Sequence, residues 1–219
     1  MTTDKRNPGL SAEDVPLSAH DSLALIETVR EQACESLGVH PAPIFGMWGV
    51  AFLFGWGACY LASPGGPGPF LPMWLAGVII AVLYLAAIAV PIVQGVRSGR
   101  GVSGPSRAVG AMYGWSWTLG FAALAAINFG LMRHGLDDET ISLLWSGGAL
   151  LVVGLLYLAG GMLWRDTVQY ALGVWMLITG AGSVFAGMPG DFLVLALAGG
   201  GGFLVQAGYY QFVRRGGKL

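Results

Sequence analysis

The residues in this chain that could do chemistry are few, and the oddest are four consecutive glycines, Gly199, Gly200, Gly201 and Gly202. A glycine costs about 1 kcal/mol against alanine inside a helix. A run of them within an apolar stretch therefore needs a compensating gain. One gain is an opened helix whose free carbonyls and amides coordinate an ion or a polar solute. The other is close helix contact, for which Ala196/Gly200 and Ala198/Gly202 have the small-xxx-small spacing. Asn128 and Gln206 come next, because an amide without a partner is costly in hydrocarbon. Each must face other helices, either bonding across them or lining a solute path. Asn128 falls towards the outer end of its run and Gln206 in the inner third of its own, so the two are not expected to touch.

Three arginines, Arg97, Arg100 and Arg107, stand in a short stretch of small residues. They suit anionic lipid headgroups or a phosphorylated partner, although setting the orientation of the chain explains them without any ligand. The stretch lacks a GxxxxGK[ST] pattern and is not a phosphate-binding loop. Tyr113, Trp117 and Gly120 share one helical face, which fits an aromatic box for a cation or plain core packing. The acidic trio Asp137, Asp138 and Glu139 suits a helix N-terminus.

Acid–base and nucleophilic catalysis need titratable groups within reach of one another. The histidines are His20, His40 and His134, two on one side of the apolar runs and one on the other, and no acid pair shares a helix face at the membrane boundary. No catalytic residue, metal ligand or cofactor site is expected, and enzymatic activity is not expected either. A proton-coupled transporter places an ionisable group in a span, and the apolar runs hold none.

These residues are carried by six runs: Ile44–Ala62, Met73–Gln94, Val109–Met132, Ile141–Trp164, Thr167–Met188 and Phe192–Val213, each free of Asp, Glu, Lys, Arg and His. A bilayer core about 30 Å thick needs about 20 helical residues, which every run supplies. The chain is 55% hydrophobic and 11% charged, whereas about a quarter of the residues in a soluble domain are charged. Continuous runs rather than alternation exclude a β-barrel. A removable leader is not expected, since residues 1–42 are mostly polar. The expected fold is all-α: a polytopic membrane protein with six transmembrane helices over 43–213.

Lys5, Arg6, Arg30, Arg97, Arg100, Arg107, Arg165, Arg214, Arg215 and Lys218 fall on one side of the runs and Arg133 on the other. The positive-inside rule then places both termini in the cytoplasm. No basic surface for nucleic acid exists. Cys34 and Cys59 fall at different depths and are not expected to pair. Within the cytoplasmic segment 1–42, a short amphipathic helix is expected over about 19–37, stopped by Gly38. Asp166 and Asp191 are expected to cap the fifth and sixth spans after very short turns. Residues 214–219 form a cytoplasmic tail.

An internal repeat is also visible. Met47–Gly57 aligns without gaps on Met112–Ala122, and Leu83-Tyr-Leu-Ala86 recurs as Leu156-Tyr-Leu-Ala159. This is the pattern of helical hairpins repeated in parallel. Arginine-rich, Ala/Gly/Val-rich usage points to a bacterial source. The expectation is an accessory or interaction protein of the plasma (inner) membrane, partnered by the lipid bilayer and by other membrane proteins or a second copy. The alternative is a small uncoupled transporter or channel with its path near Gly199–Gly202. The first predicts a straight sixth helix, the second an unwound one beside a polar cavity.

Overall fold

A computed structural model describes Ser18 and residues 41–68, 70–98 and 105–212. The helix expected over 19–37 and the tail 214–219 lie outside the described residues. The helical unit lies within Val39–Leu219. It contains six helices, each long and apolar enough to cross a membrane. They are α1 (Pro41–Ala62), α2 (Met73–Ser98), α3 (Pro105–Arg133), α4 (Asp138–Trp164), α5 (Thr167–Ala186) and α6 (Gly190–Phe212). No strand occurs among the described residues. Large apolar side chains such as Phe54, Val82, Leu119, Ile178 and Val205 point outwards. That is the arrangement expected when lipid, not water, is the surrounding solvent.

In order of main-chain contact the helices form a curved row, α2 on α1, α1 on α6, α6 on α5, α5 on α4 and α4 on α3, curled so that Phe45 of α1 reaches Tyr157 of α4 at 5.9 Å. The two helices at the ends of the row are barely covered. Only 11% of the apolar window of α2 and 6% of that of α3 is buried, against 39% for α1 and α6.

Glycine spacing explains the tightest contact, between α4 and α5. Gly147, Gly154 and Gly161 recur every seven residues on α4, and Gly173 and Gly180 do so on α5. A seven-residue step keeps them on one face. A Cβ on Gly180 would stand 2.6 Å from Leu150 Cβ, one on Gly154 would stand 3.0 Å from Gly173 O, and one on Gly161 would stand 2.8 Å from Tyr170 N. The backbones touch because no side chain intervenes.

Short turns are held by caps. Asp137 accepts from Thr140 N at 2.9 Å and Thr140 Oγ1 at 2.7 Å, and these bonds hold its carboxyl below the usual carboxylate range. Asp166 accepts from Val168 N and Gln169 N, both at 3.0 Å, and its other oxygen accepts from Tyr210 Oη on α6. The expected cap on α5 is therefore present and also ties the α4–α5 turn to the end of α6.

The core is aromatic. Phe45, Phe52, Tyr157, Phe203 and Tyr210 are buried together, with Trp48, Trp56, Tyr84 and Trp117 packed against them. Trp56 Nε1 donates to Tyr84 Oη at 2.8 Å, which satisfies two polar atoms in an apolar interior. Contacts recur at the positions that the repeat makes equivalent. Phe52 meets Tyr84 at 5.8 Å, and their counterparts Trp117 and Tyr157 meet at 5.4 Å. A Cβ on Gly55 would meet Ile80, and one on its counterpart Gly120 would meet Val152, each at 2.9 Å, but Val152 is one position short of the counterpart of Ile80.

Candidate functional site

The four glycines lie on a helix that is continuous but not α-helical throughout. α6 runs as α-helix over Gly190–Val194, as π-helix over Leu195–Gly199 and as α-helix again over Gly200–Phe212. A π turn widens the helix and re-aims its carbonyls without ending it. The expectation of an unwound helix is corrected, since the helix is continuous over Gly190–Phe212. Its main chain stays bonded, yet Ala198 O accepts from Trp175 Nε1 on α5 at 2.8 Å. Three of the glycines face close neighbours. A Cβ on Gly199 would meet Phe52 at 2.9 Å, one on Gly200 would meet Leu53 N at 3.0 Å, and one on Gly202 would meet Trp175 Cδ1 at 2.5 Å. Gly201 has nothing within 4 Å. The run lets α6 approach α1 on one side and the Trp175 indole on the other.

Beside Gly201 and Gly202, a cleft of about 430 Å³ opens between α5 and α6, lined by Val168, Leu172, Trp175, Leu197, Val205 and Gln206 among others. Its walls are overwhelmingly apolar. Gln206 is 3% exposed, and its Nε2 has no hydrogen-bond partner. Asn128 is 1% exposed; its Nδ2 donates to Leu124 O at 3.0 Å, and its Oδ1 is without a partner. The two amides are not bonded to each other, as their opposite depths require.

Sequence reasoning missed the most unusual group, Asp191. It does not cap α6, whose N-cap is Pro189 with no side-chain bond. It lies one residue inside the helix, 0% exposed, and neither carboxylate oxygen has a hydrogen-bond partner. The expectation that the spans hold no ionisable group is thereby corrected, because the sixth helix begins at Gly190 rather than after the acid. Ser146 of α4 and Ser183 of α5 lie against it, 2% and 0% exposed. Each serine is also within donating distance of a main-chain carbonyl of its own helix, Ser146 Oγ of Leu143 O and Ser183 Oγ of Gly180 O, both at 3.0 Å. The contact of Gly147 with Val184 puts the two serines at one level of the α4–α5 interface.

Arg97 lies in the last turn of α2 and Arg107 in the first of α3, while Arg100 is outside the described residues. The aromatic face of α3 is committed to packing: Tyr113 Oη donates to Leu156 O at 2.9 Å, and Trp117 lies edge-on to Tyr157. Cys59 is a buried free thiol. Among the described residues, no group of three His, Cys, Asp or Glu gathers in a metal-binding arrangement. No family model, curated protein or solved structure matches this chain.

Proposed function

We propose that this chain is an accessory or interaction protein of the bacterial plasma membrane, with both ends at the cytoplasmic face, that joins other membrane proteins through α2 and α3. The supporting observation is the uncovered state of α3. Gly110 and Gly114 have helix-contact spacing, yet a Cβ on either would meet no described neighbour within 4 Å. On α4 and α5, glycines of the same kind are filled by a neighbouring helix; on α3 they face outwards. Between lipid and helix there is no hydrophobic driving force, so small residues associate through close backbone packing. An unfilled small-residue face is therefore a natural contact for a helix from another chain. A photo-crosslinking residue at Met112, which is exposed beside both glycines, tests this in native membranes. The expected result is a discrete crosslinked species that G110L and G114L abolish while the variants insert normally. Crosslinking to lipid alone, or a crosslinked species indifferent to both substitutions, overturns the proposal.

A further inference from the structure

We propose that the cleft between α5 and α6 holds one acyl chain of a phospholipid, whose ester carbonyl accepts a hydrogen bond from Gln206. This goes beyond the interaction reading and stands without it, since the cleft uses neither α2 nor α3.

The walls set the chemistry. Leu172, Trp175, Leu197 and Val205 line a cleft of about 430 Å³ with carbon, within the roughly 300–1,000 Å³ of small-molecule sites. A ligand there is apolar over most of its surface. Length narrows the choice. The lining of α6 runs from Leu197 to Tyr209, which at about 1.5 Å per residue is about 18 Å. That is close to half of a hydrocarbon core about 30 Å thick, the reach of a chain in one leaflet. At the mid-membrane end, Trp175 Nε1 donates to Ala198 O at 2.8 Å and joins the two walls. A transmembrane helix from another chain would have to run past that bridge; an acyl chain stops at it. At the other end Tyr209 is exposed, an amphipathic ring at headgroup level.

Gln206 sets the polar end. It lines the cleft, is 3% exposed and leaves Nε2 without an acceptor. An amide donor without a partner is costly in hydrocarbon, and the α5 side of the cleft, Val168, Ala171, Leu172 and Trp175, brings no acceptor side chain. An ester carbonyl accepts without donating and carries no charge, so it satisfies the amide without burying an ion. Gln206 lies within one turn of Tyr209, where the chain of a phospholipid meets its headgroup. Gly201 makes the room. A Cβ there would meet nothing within 4 Å, so this glycine, unused in helix packing, keeps the cleft open.

The experiment uses the full chain in detergent micelles and counts bound lipid by native mass spectrometry. The probes are a diacyl phosphatidylglycerol and its dialkyl ether analogue, which has the same chains and headgroup but no ester carbonyl. The expected result is one diacyl lipid per protein, bound about fivefold more tightly than the ether, as one hydrogen bond allows. Q206L should bind both lipids equally. G201L fills the cleft where no atom opposes the new side chain, so it should fold and weaken both lipids about tenfold or more. It keeps the proposal testable if Q206L does not fold. Equal affinity of the wild-type protein for ester and ether overturns the proposal, as does a preference that survives Q206L or binding unchanged in G201L. A co-purifying prenyl quinone in place of phospholipid, lost in G201L, would give the cleft to a different carbonyl compound and overturn it too.

Discussion

At the residue scale, the chain spends its few polar side chains on structural bonds and leaves a small number unspent. Asp166 shows the first use. One of its oxygens ends the orphaned amides of Val168 and Gln169, and the other receives the Tyr210 hydroxyl. Loss of an N-cap costs about 1 kcal/mol, and loss of a side-chain hydrogen bond costs about as much again. D166A is therefore expected to lower stability by about 2 kcal/mol in reversible unfolding in micelles. D166A and Y210F both remove this bond, so their losses should be less than additive; fully additive losses would contradict the tie. Asp191 shows the second use, and the reason it was misread is physical. A carboxylate at a turn followed by an apolar run has the same local sequence whether it caps the helix or stands inside it. Only the neighbouring α4 and α5 decide that its side chain is covered.

At the element scale, glycine placement sets which helices touch. The repeats of seven on α4 and α5 stand in the sequence as plainly as the denser run on α6. Density was the weaker guide: Gly201 meets nothing, while isolated Gly154 and Gly180 meet backbone or Cβ atoms. Overpacking a tight interior contact costs about 1–3 kcal/mol. G180L and G154L are therefore expected to destabilise the bundle by that amount or more, measured by thermal unfolding. G182L is the control, since nothing lies within 4 Å of Gly182; it should be neutral, or gain up to about 1 kcal/mol from helix propensity. Equal effects at Gly180 and Gly182 would remove the packing account. The π turn could not be read from the sequence. Four glycines permit a straight, widened or opened helix, and the Trp175 indole reaching Ala198 O accompanies the widened one.

At the scale of the whole molecule, the row of helices explains why so much apolar surface remains outside. A helix at the end of a row has one neighbour, so α2 and α3 keep most of their circumference for lipid or for another chain. The proposed orientation rests on ten cationic residues on one side of the helices against Arg133 on the other. A reporter that works only in the cytoplasm is expected to be active when fused after Leu219 and silent when inserted between Gly135 and Asp137. The reverse pattern would invert the protein in the membrane and with it the side from which the Asp191 end is reached.

Six helices, their lengths and the uneven distribution of arginine could all be read from the amino-acid order. Each depends on a local property: apolar length against the thickness of hydrocarbon, and cation placement relative to it. Which glycines are filled, where α6 takes its π turn, and that Asp191 is enclosed beside two serines were decided only by the tertiary structure. Those outcomes depend on what the neighbouring helices bring to the same depth, and distance along the chain carries no record of that.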